Sequence, residues 1–310
     1  MDMRQLKYFC AVFEKQNLSH AAQHCNVAQS AISHHIANLE ADLGVKLFSR
    51  LPRGMEPTPA GGRLYEHAQS LFRSLGAAEA DIRHMADEPV GEIGVAMPNT
   101  IIEAIGVDLI QQTLERYPKA RLVVHEGISS EVYRQLTLGE ADIALCYNAP
   151  DDDRVSWTEV LEEKICAVGR PEFLGDIPEP IRFEALLPLP HIILQRGPPS
   201  RAISTQGRLL QALHDRAVVE LNSVNGMRLA LVAGIGVATC PAITVRRLID
   251  EGKVTVREIV DPPVTRVLSI GRLSGRLPTR LMEGVSALIG ELIAARVASG
   301  YWPARMLAAG

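Results

Sequence analysis

Residues 17–44 read NLSHAAQHCNVAQSAISHHIANLEADLG. Asn17 is an N-cap residue type, and Leu18, Ala21, Ala22 and Cys25 behind it keep the spacing of one helical face. Asn26-Val27 then makes a turn, and a second helix holds Ala31, Ile32, Ile36, Leu39 and Leu43 on its inner side until Gly44, a typical C-terminal stop. Upstream, Leu6, Phe9, Cys10 and Phe13 mark an earlier helix of the same period. Three short helices with a tight turn between the second and third form a helix-turn-helix plan. Downstream, Val45–Arg50, a Pro/Gly turn and a second short strand make a β-hairpin wing, so the expected head is a winged helix-turn-helix. On the third helix Gln29, Ser30, Ser33 and His34 lie opposite Ile32, Ile36 and Leu39. Gln bonds adenine in bidentate fashion, and Ser or His reaches base edges or phosphates. Arg50 and Arg53, with Thr58 and the helix amides after it, suit phosphate oxygens. The competing interpretation of all seven is an ordinary solvated surface.

Residues 60–87 contain no proline and read as one long helix, about 40 Å at 1.5 Å per residue. Leu64, Ala68, Leu71, Leu75, Ala78, Ile82 and Met85 are spaced alternately by four and three, a heptad seam that favours a helix–helix dimer contact over packing within the chain. Pro89 ends it.

From Val90 on, strand-like and helix-like runs alternate. Strands are expected at 92–97, 121–126, 142–147, 164–168, 191–194, 218–221 and 237–240, with helices at 100–116, 129–138, 201–214, 225–233 and 242–250. A late strand at 264–271 and a helix at 278–297 follow. Such alternation predicts an α/β fold with parallel sheets, and the late strand returns to the first sheet to give two subdomains. Strand ends followed by helix starts, such as Met97-Pro98-Asn99-Thr100, put hydroxyls and backbone N–H groups at a crevice mouth, where small anions bind. Asn99 and Thr100 are therefore candidate ligand contacts, and Ser129, Gln195, Arg196, Arg201 and Asn225 join them by the same logic. The plain alternative is that Thr100, Ser129 and Asn225 only cap helices.

Composition bounds the function. The chain has 310 residues, 47% hydrophobic and 22% charged, which excludes wholesale disorder and fits two or three domains. The longest apolar run, Leu229 to Ala238, is too short for a membrane helix, and the N-terminus is not a signal peptide. Five cysteines without a C-x-x-C pair argue against a disulfide framework or zinc ribbon and for the cytoplasm; Cys146 and Cys166 read as buried small hydrophobes. The net charge of −4 points away from nucleic acid only as an average: residues 1–63 carry +2 and residues 89–310 carry −3. Enzyme signatures fail on inspection. Gly127-Ile128-Ser129-Ser130-Glu131 lacks the last glycine of a nucleophile elbow, Gly234-Ile235-Gly236 lacks a third glycine, and there is no H-E-x-x-H. Asp151-Asp152-Asp153 reads as a solvated loop. No cofactor and no metal are expected.

The head resembles the LysR-type transcriptional regulators. The residues that carry the resemblance are Arg4-Gln5-Leu6-Lys7-Tyr8-Phe9, Leu18-Ser19-His20-Ala21-Ala22, Gln29-Ser30-Ala31-Ile32-Ser33-His34-His35-Ile36, Leu39-Glu40, Leu43-Gly44, Leu47-Phe48-Ser49-Arg50, Arg53-Gly54, Thr58 and Ala60-Gly61. Arg116-Tyr117-Pro118, Glu126-Gly127, Leu138-Gly139-Glu140-Ala141-Asp142-Ile143 and Ala233-Gly234-Ile235-Gly236-Val237 are similar to the family's effector domain. Ala28-Gln29 and the wing look most like the branch of the nitrogen assimilation control protein, whereas Ala28, Ser30 and His34 depart from the Ser, Pro and Arg common in the family.

The resemblance implies a DNA-binding domain at 1–60, a dimerising linker helix at 61–88 and an effector-binding domain at 89–310 of periplasmic-binding-protein type. Within that domain, subdomain I spans about 89–163 and 268–310, and subdomain II about 164–267. It also implies a contact from Thr100 to a small-molecule effector, for which Arg196 and Arg201 suggest a carboxylate. Double-stranded DNA with a pseudo-palindromic operator, RNA polymerase, and a homodimer assembling to a homotetramer are the implied partners, with no membrane. Two alternatives stay open: a non-sensing architectural DNA binder, and an α/β enzyme with an accessory helical segment.

Overall fold

Asp2 accepts a hydrogen bond from the Gln5 amide while the Gln5 side chain accepts one from the Asp2 amide, a reciprocal cap that starts helix α1 at Met3–Lys15. The computed structural model describes residues 1–51, 54–83, 91–194 and 211–307. Asn17 caps α2 (Leu18–Cys25) by accepting from the Ser19 and His20 amides, and Asn26 leaves that helix in the left-handed conformation. Helix α3 (Gln29–Leu43) stops at Gly44, with φ at 68°. The wing is an antiparallel pair, β1 (Phe48–Leu51) and β2 (Gly54–Pro57), tied to α3 because the Glu40 carboxylate accepts from the Leu47 and Phe48 amides and the Lys46 ammonium. Leu6, Phe9, Val12, Ile32, Ile36, Leu39, Leu47 and Phe48 fill one core, with the Phe9 and Phe48 rings 5.4 Å apart. Helix α4 (Pro59–Arg83) follows. Cα packing groups Met1–Met85, with Leu138–Glu140, apart from the rest of the chain.

The second unit holds two six-stranded sheets. The first has β3 (Gly91–Met97), β4 (Ala120–Glu126), β5 (Ile143–Tyr147), β6 (Val155–Lys164), β13 (Thr265–Leu273) and β14 (Ala304–Met306) in the order β14-β6-β13-β5-β3-β4. The second has β7 (Cys166–Gly169), β8 (Ile181–Arg182), β9 (His191–Leu194), β10 (Ala217–Leu221), β11 (Val237–Cys240) and β12 (Thr255–Val260) in the order β10-β9-β11-β7-β12-β8. The chain crosses between them at Ile165 and Val264, where the Ile165 amide donates to the Val264 carbonyl at 2.8 Å.

Four expectations change here. The sheets are mixed, because β13 runs antiparallel to β5 and β6, and β7 antiparallel to β11 and β12. Strands β6 and β12 were not expected; β6 carries Glu159, Glu162, Glu163 and Lys164, which hide its alternation. The second crossing falls at 264–265, so Thr265–Val267 belong to the first subdomain's sheet. Asp152 is not a loosely solvated loop residue: its carboxylate accepts from the Tyr133 hydroxyl and the Arg154 guanidinium, which together hold its pKa well below the carboxylate range.

Between β3 and β4 the chain runs through α5 (Asn99–Ile101), a π-helical turn (Ile102–Gly106) and α6 (Val107–Arg116). The Ala104 carbonyl in that turn accepts from Arg296 Nε at 2.9 Å, a partner from outside the helix. Helices α7 (Ser129–Thr137), α8 (Pro171–Leu174), α9 (Phe183–Leu186), α10 (Val224–Val232), α11 (Arg246–Asp250) and α12 (Arg280–Ala298) complete the described elements used below. The first subdomain's core gathers Val95, Met97, Ile101, Leu109, Ile143, Leu268, Leu288, Ile289 and Trp302. The second has two clusters, around Leu174, Ile181, Phe183 and Ile259 and around Val168, Ile192, Met227 and Leu231.

Candidate functional site

The head places its polar candidates on one surface. Gln29, Ser30 and His34 are exposed and Ser33 half-buried, while Ile32, Ile36 and Leu39 on the other side are in the core. Gln29 Oε1 accepts from the Ser19 hydroxyl at 3.0 Å, which ties α2 to the start of α3 and steers the amide. His34 Nε2 lies 3.1 Å from the Asn38 amide nitrogen, one turn further along the same face. No side chain caps the N-terminus of α3, so its first turn keeps the positive end of the helix dipole for an anion. Thr58 is engaged internally. Its hydroxyl donates to the Lys46 carbonyl at 2.7 Å and accepts from the Gly61 amide at 3.0 Å, so it caps α4 and fixes the base of the wing. Arg53 and the side chain of Arg50 lie outside the described residues.

The expected seam on α4 divides. Ala68 is fully buried and Leu64 half-buried in the head's own core, so these two pack against the chain itself and are corrected from partner contacts to core residues. The stacked rings of Phe13 and Tyr65, 4.0 Å apart, hold that end of α4 on α1. Leu71 and Leu75, each 48% exposed, and Ala78 form a solvent-facing apolar stripe. Ile82 and Met85 lie outside the described side chains.

In the second unit, β5, β3 and β4 are parallel neighbours, so their carboxyl ends deliver Tyr147, Thr100 and Ser129 to one edge. The Thr100 hydroxyl is 3.5 Å from the Tyr147 hydroxyl, and both residues are buried. Ser129 Oγ accepts from the Tyr147 amide at 3.2 Å, and the Asn99 amide donates to Glu126 at 3.0 Å. The Asn99 side-chain oxygen Oδ1 is buried with no partner among the described residues. Thr100 is not a helix cap, since Pro98 occupies that position and makes no side-chain cap bond. Nor does Asn225 cap α10: Ser223 does, accepting from the Gly226 amide at 3.1 Å, and Asn225 is exposed. Gln195, Arg196 and Arg201, with most of the expected helix at 201–214, lie outside the described residues.

Sequence patterns did not point to the charged network beneath this edge. The Arg266 guanidinium lies 3.4 Å over the Tyr147 ring, and its Nε donates to Glu163 Oε1 at 2.7 Å. The other Glu163 oxygen accepts from the Trp302 indole at 2.8 Å. Burial pushes the Tyr147 phenol up, so its hydroxyl stays protonated as a donor. Arg266 and Glu163 face each other across β13 and β6, a pairing between strands about a hundred residues apart that no local spacing signals. Burial also raises the thiols, Cys146 and Cys166 to about 11 and Cys240 to about 12, so they stay protonated at neutral pH. Among the described residues no group of three or more His, Cys, Asp or Glu side chains is placed to hold a metal ion, and no helix is long and apolar enough to cross a membrane.

Known proteins resemble this chain over both its units. Residues 3–62 match the model described as bacterial regulatory helix-turn-helix protein, lysR family, and residues 86–294 match the LysR substrate binding domain. The nitrogen assimilation regulatory protein nac of Klebsiella aerogenes is 25% identical over 274 residues, which cover 87% of this chain and 88% of that protein. A full-length OxyR variant from Pseudomonas aeruginosa superposes with a TM-score of 0.68 at 20% identity, covering 94% of each chain. Full-length CbnR, solved in a complex with its target DNA, gives 0.63 at 24% identity over 95% of this chain and 99% of that one.

Proposed function

Because the chain belongs to the LysR family of DNA-binding transcriptional regulators, with a helix-turn-helix and an effector-binding domain, we propose how its residues divide the work. Residues 1–60 read DNA, 61–88 form the dimerising linker and 89–310 sense a small molecule, acting without catalysis and in the cytoplasm. The observation that carries the DNA assignment is the exposed face of α3, where Gln29, Ser30 and His34 stand over a buried Ile32, Ile36 and Leu39. Ser33 joins them at the edge, and Arg50, Arg53 and the α4 base below Thr58 grip phosphate. A pseudo-palindromic operator follows from two heads related by a twofold axis.

Two exposed apolar stripes on different elements support self-association beyond a dimer. One is Leu71, Leu75 and Ala78 on α4; the other is Val107, Ile110 and Leu114 on α6. Two independent self-contacts per chain build a dimer of dimers, a homotetramer. RNA polymerase is the further partner such a regulator addresses.

We assign the effector to the edge that carries Asn99, Thr100 and Ser129, with Asn225, Gln195, Arg196 and Arg201 as the sequence's candidates for its other contacts. Hydroxyls, amides and arginines suit a small carboxylate. The test pairs two measurements on the full chain. Selection from random duplexes defines an operator, on which His34→Ala is expected to relax base preference; unchanged affinity and discrimination would remove His34 from the base contacts. A panel of carboxylates is then titrated into wild type and Thr100→Ala while thermal unfolding is followed. Stabilisation confined to wild type is expected, and equal shifts would sink the Thr100 assignment.

A further inference from the structure

Glu103, in the π turn of the first subdomain, and Arg228, on α10 of the second, meet across the junction. Arg228 Nη1 donates to Glu103 Oε1 at 2.5 Å and Nη2 donates to Oε2, a bidentate pair between residues 125 positions apart. The same guanidinium donates to the Thr244 carbonyl, from Nε at 2.7 Å and from Nη2 at 2.5 Å. Thr244 sits in the 3-10 turn Ala242–Val245, whose Ile243 belongs to the first subdomain's core and whose Val245 belongs to the second's. Arg228 is therefore the point where α10, the π turn and the connecting turn are pinned together. All three of its nitrogens are engaged. The side chains of Arg228 and Glu103 are 20% and 36% exposed, so the pair is strong for a planar fork yet open to competing ions.

Spacing relates this pair to the candidate effector contacts. Glu103 follows Thr100 by three residues in one helical segment, and Arg228 follows Asn225 by three on α10. Each partner of the ion pair thus lies three residues along the chain from a candidate effector contact of its own subdomain.

We propose that Arg228 is a latch that sets the effector-free arrangement of the two subdomains, closed on Glu103 and the Thr244 carbonyl. The latch deepens the assignment of an effector cleft and rests on it, since an effector shifts the arrangement only by favouring one in which this pair is altered.

Pulsed electron spin resonance tests the latch on the full chain. Nitroxides are placed at the exposed positions Ser156 and Glu184, one on each subdomain, in a Cys25→Ser background diluted with unlabelled protein. Wild type in low salt is expected to give one narrow distance. Glu103→Gln, which keeps shape and loses charge, and Arg228→Ala should each raise a second distance population about fivefold. The double variant should be no more open than Arg228→Ala alone, and 0.5 M NaCl should broaden wild type but leave Arg228→Ala unchanged. Unfolding midpoints confirm that each variant is folded, and Glu103→Gln carries the test if Arg228→Ala is not. An unchanged distribution in the single variants, additive effects in the double, or an equal salt response in wild type and Arg228→Ala would overturn the latch. Neither DNA nor effector is present, so such a failure is distinct from failure of the Thr100 titration.

Discussion

Glu163 is a carboxylate only 1% exposed, and its surroundings explain how that is tolerated. Arg266 and the Trp302 indole satisfy both its oxygens, and the Tyr147 ring covers the guanidinium. Removing one partner leaves a buried charge alone. Glu163→Leu is therefore expected to destabilise the second unit by about 3–5 kcal/mol in urea unfolding, while Glu163→Leu with Arg266→Met should recover most of that loss. His191 gives a pH signature of known sign. Its ring is buried, Nε2 lies 2.9 Å from the Leu186 carbonyl oxygen, and burial lowers its pKa below the unfolded value of 6.5. Below pH 6.5 the unfolded chain binds a proton that the folded ring resists. The stabilisation is complete above that pH and falls as pH drops toward the folded pKa, by up to about 1.4 kcal/mol per unit. Unfolding midpoints at pH 8 and pH 5.5 should differ more in wild type than in His191→Gln.

At the level of elements, the wing depends on a close approach between backbones. A Cβ on Gly61 would stand 2.2 Å from the Leu47 carbonyl oxygen, so Gly61→Ala must push α4 off the wing. A loss of about 1–3 kcal/mol is expected in thermal unfolding of the head, with weaker DNA binding. The stripe at Leu71 and Leu75 predicts the opposite partition: Leu71→Asp with Leu75→Asp should leave the monomer folded but shift sedimentation toward smaller species. The second and third helices of the head were legible in sequence because their ends are marked: Asn17 opens α2, Asn26 closes it and Gly44 ends α3, each at a position its chemistry prefers. Heptad spacing alone could not say where the seam on α4 changes from core to surface. Leu64 and Ala68 fit the same period as Leu71 and Leu75, and only the packing of α1 separates them. Strand β6 escaped because Glu159, Glu162, Glu163 and Lys164 break the apolar alternation, and what compensates the buried Glu163 comes from residues 266 and 302.

Across the whole molecule, charge is divided by task. A head at +2 offers few phosphate contacts, so non-specific affinity should be weak and specific binding should depend on paired heads. Arg53→Ala is expected to weaken every DNA sequence alike and lower the slope of log K against log salt by about 1 per head, measured by fluorescence anisotropy. The strand-end logic that selected Thr100 and Ser129 from the sequence does bring them to one edge, because parallel neighbours must end on the same side. Tyr147, Arg266, Arg228 and Glu103 were invisible to it, since their partners come from the antiparallel return or from the other subdomain. That return has a consequence for synthesis. The first subdomain is assembled from 91–164 and 265–306, and its buried Trp302 and edge strand β14 come late in the chain. On the ribosome the head is complete early, and residues 165–264 form an uninterrupted block able to collapse first. The sheet carrying Thr100 must wait, with β3, β4 and β5 exposed, until β13 arrives to cover their open edge.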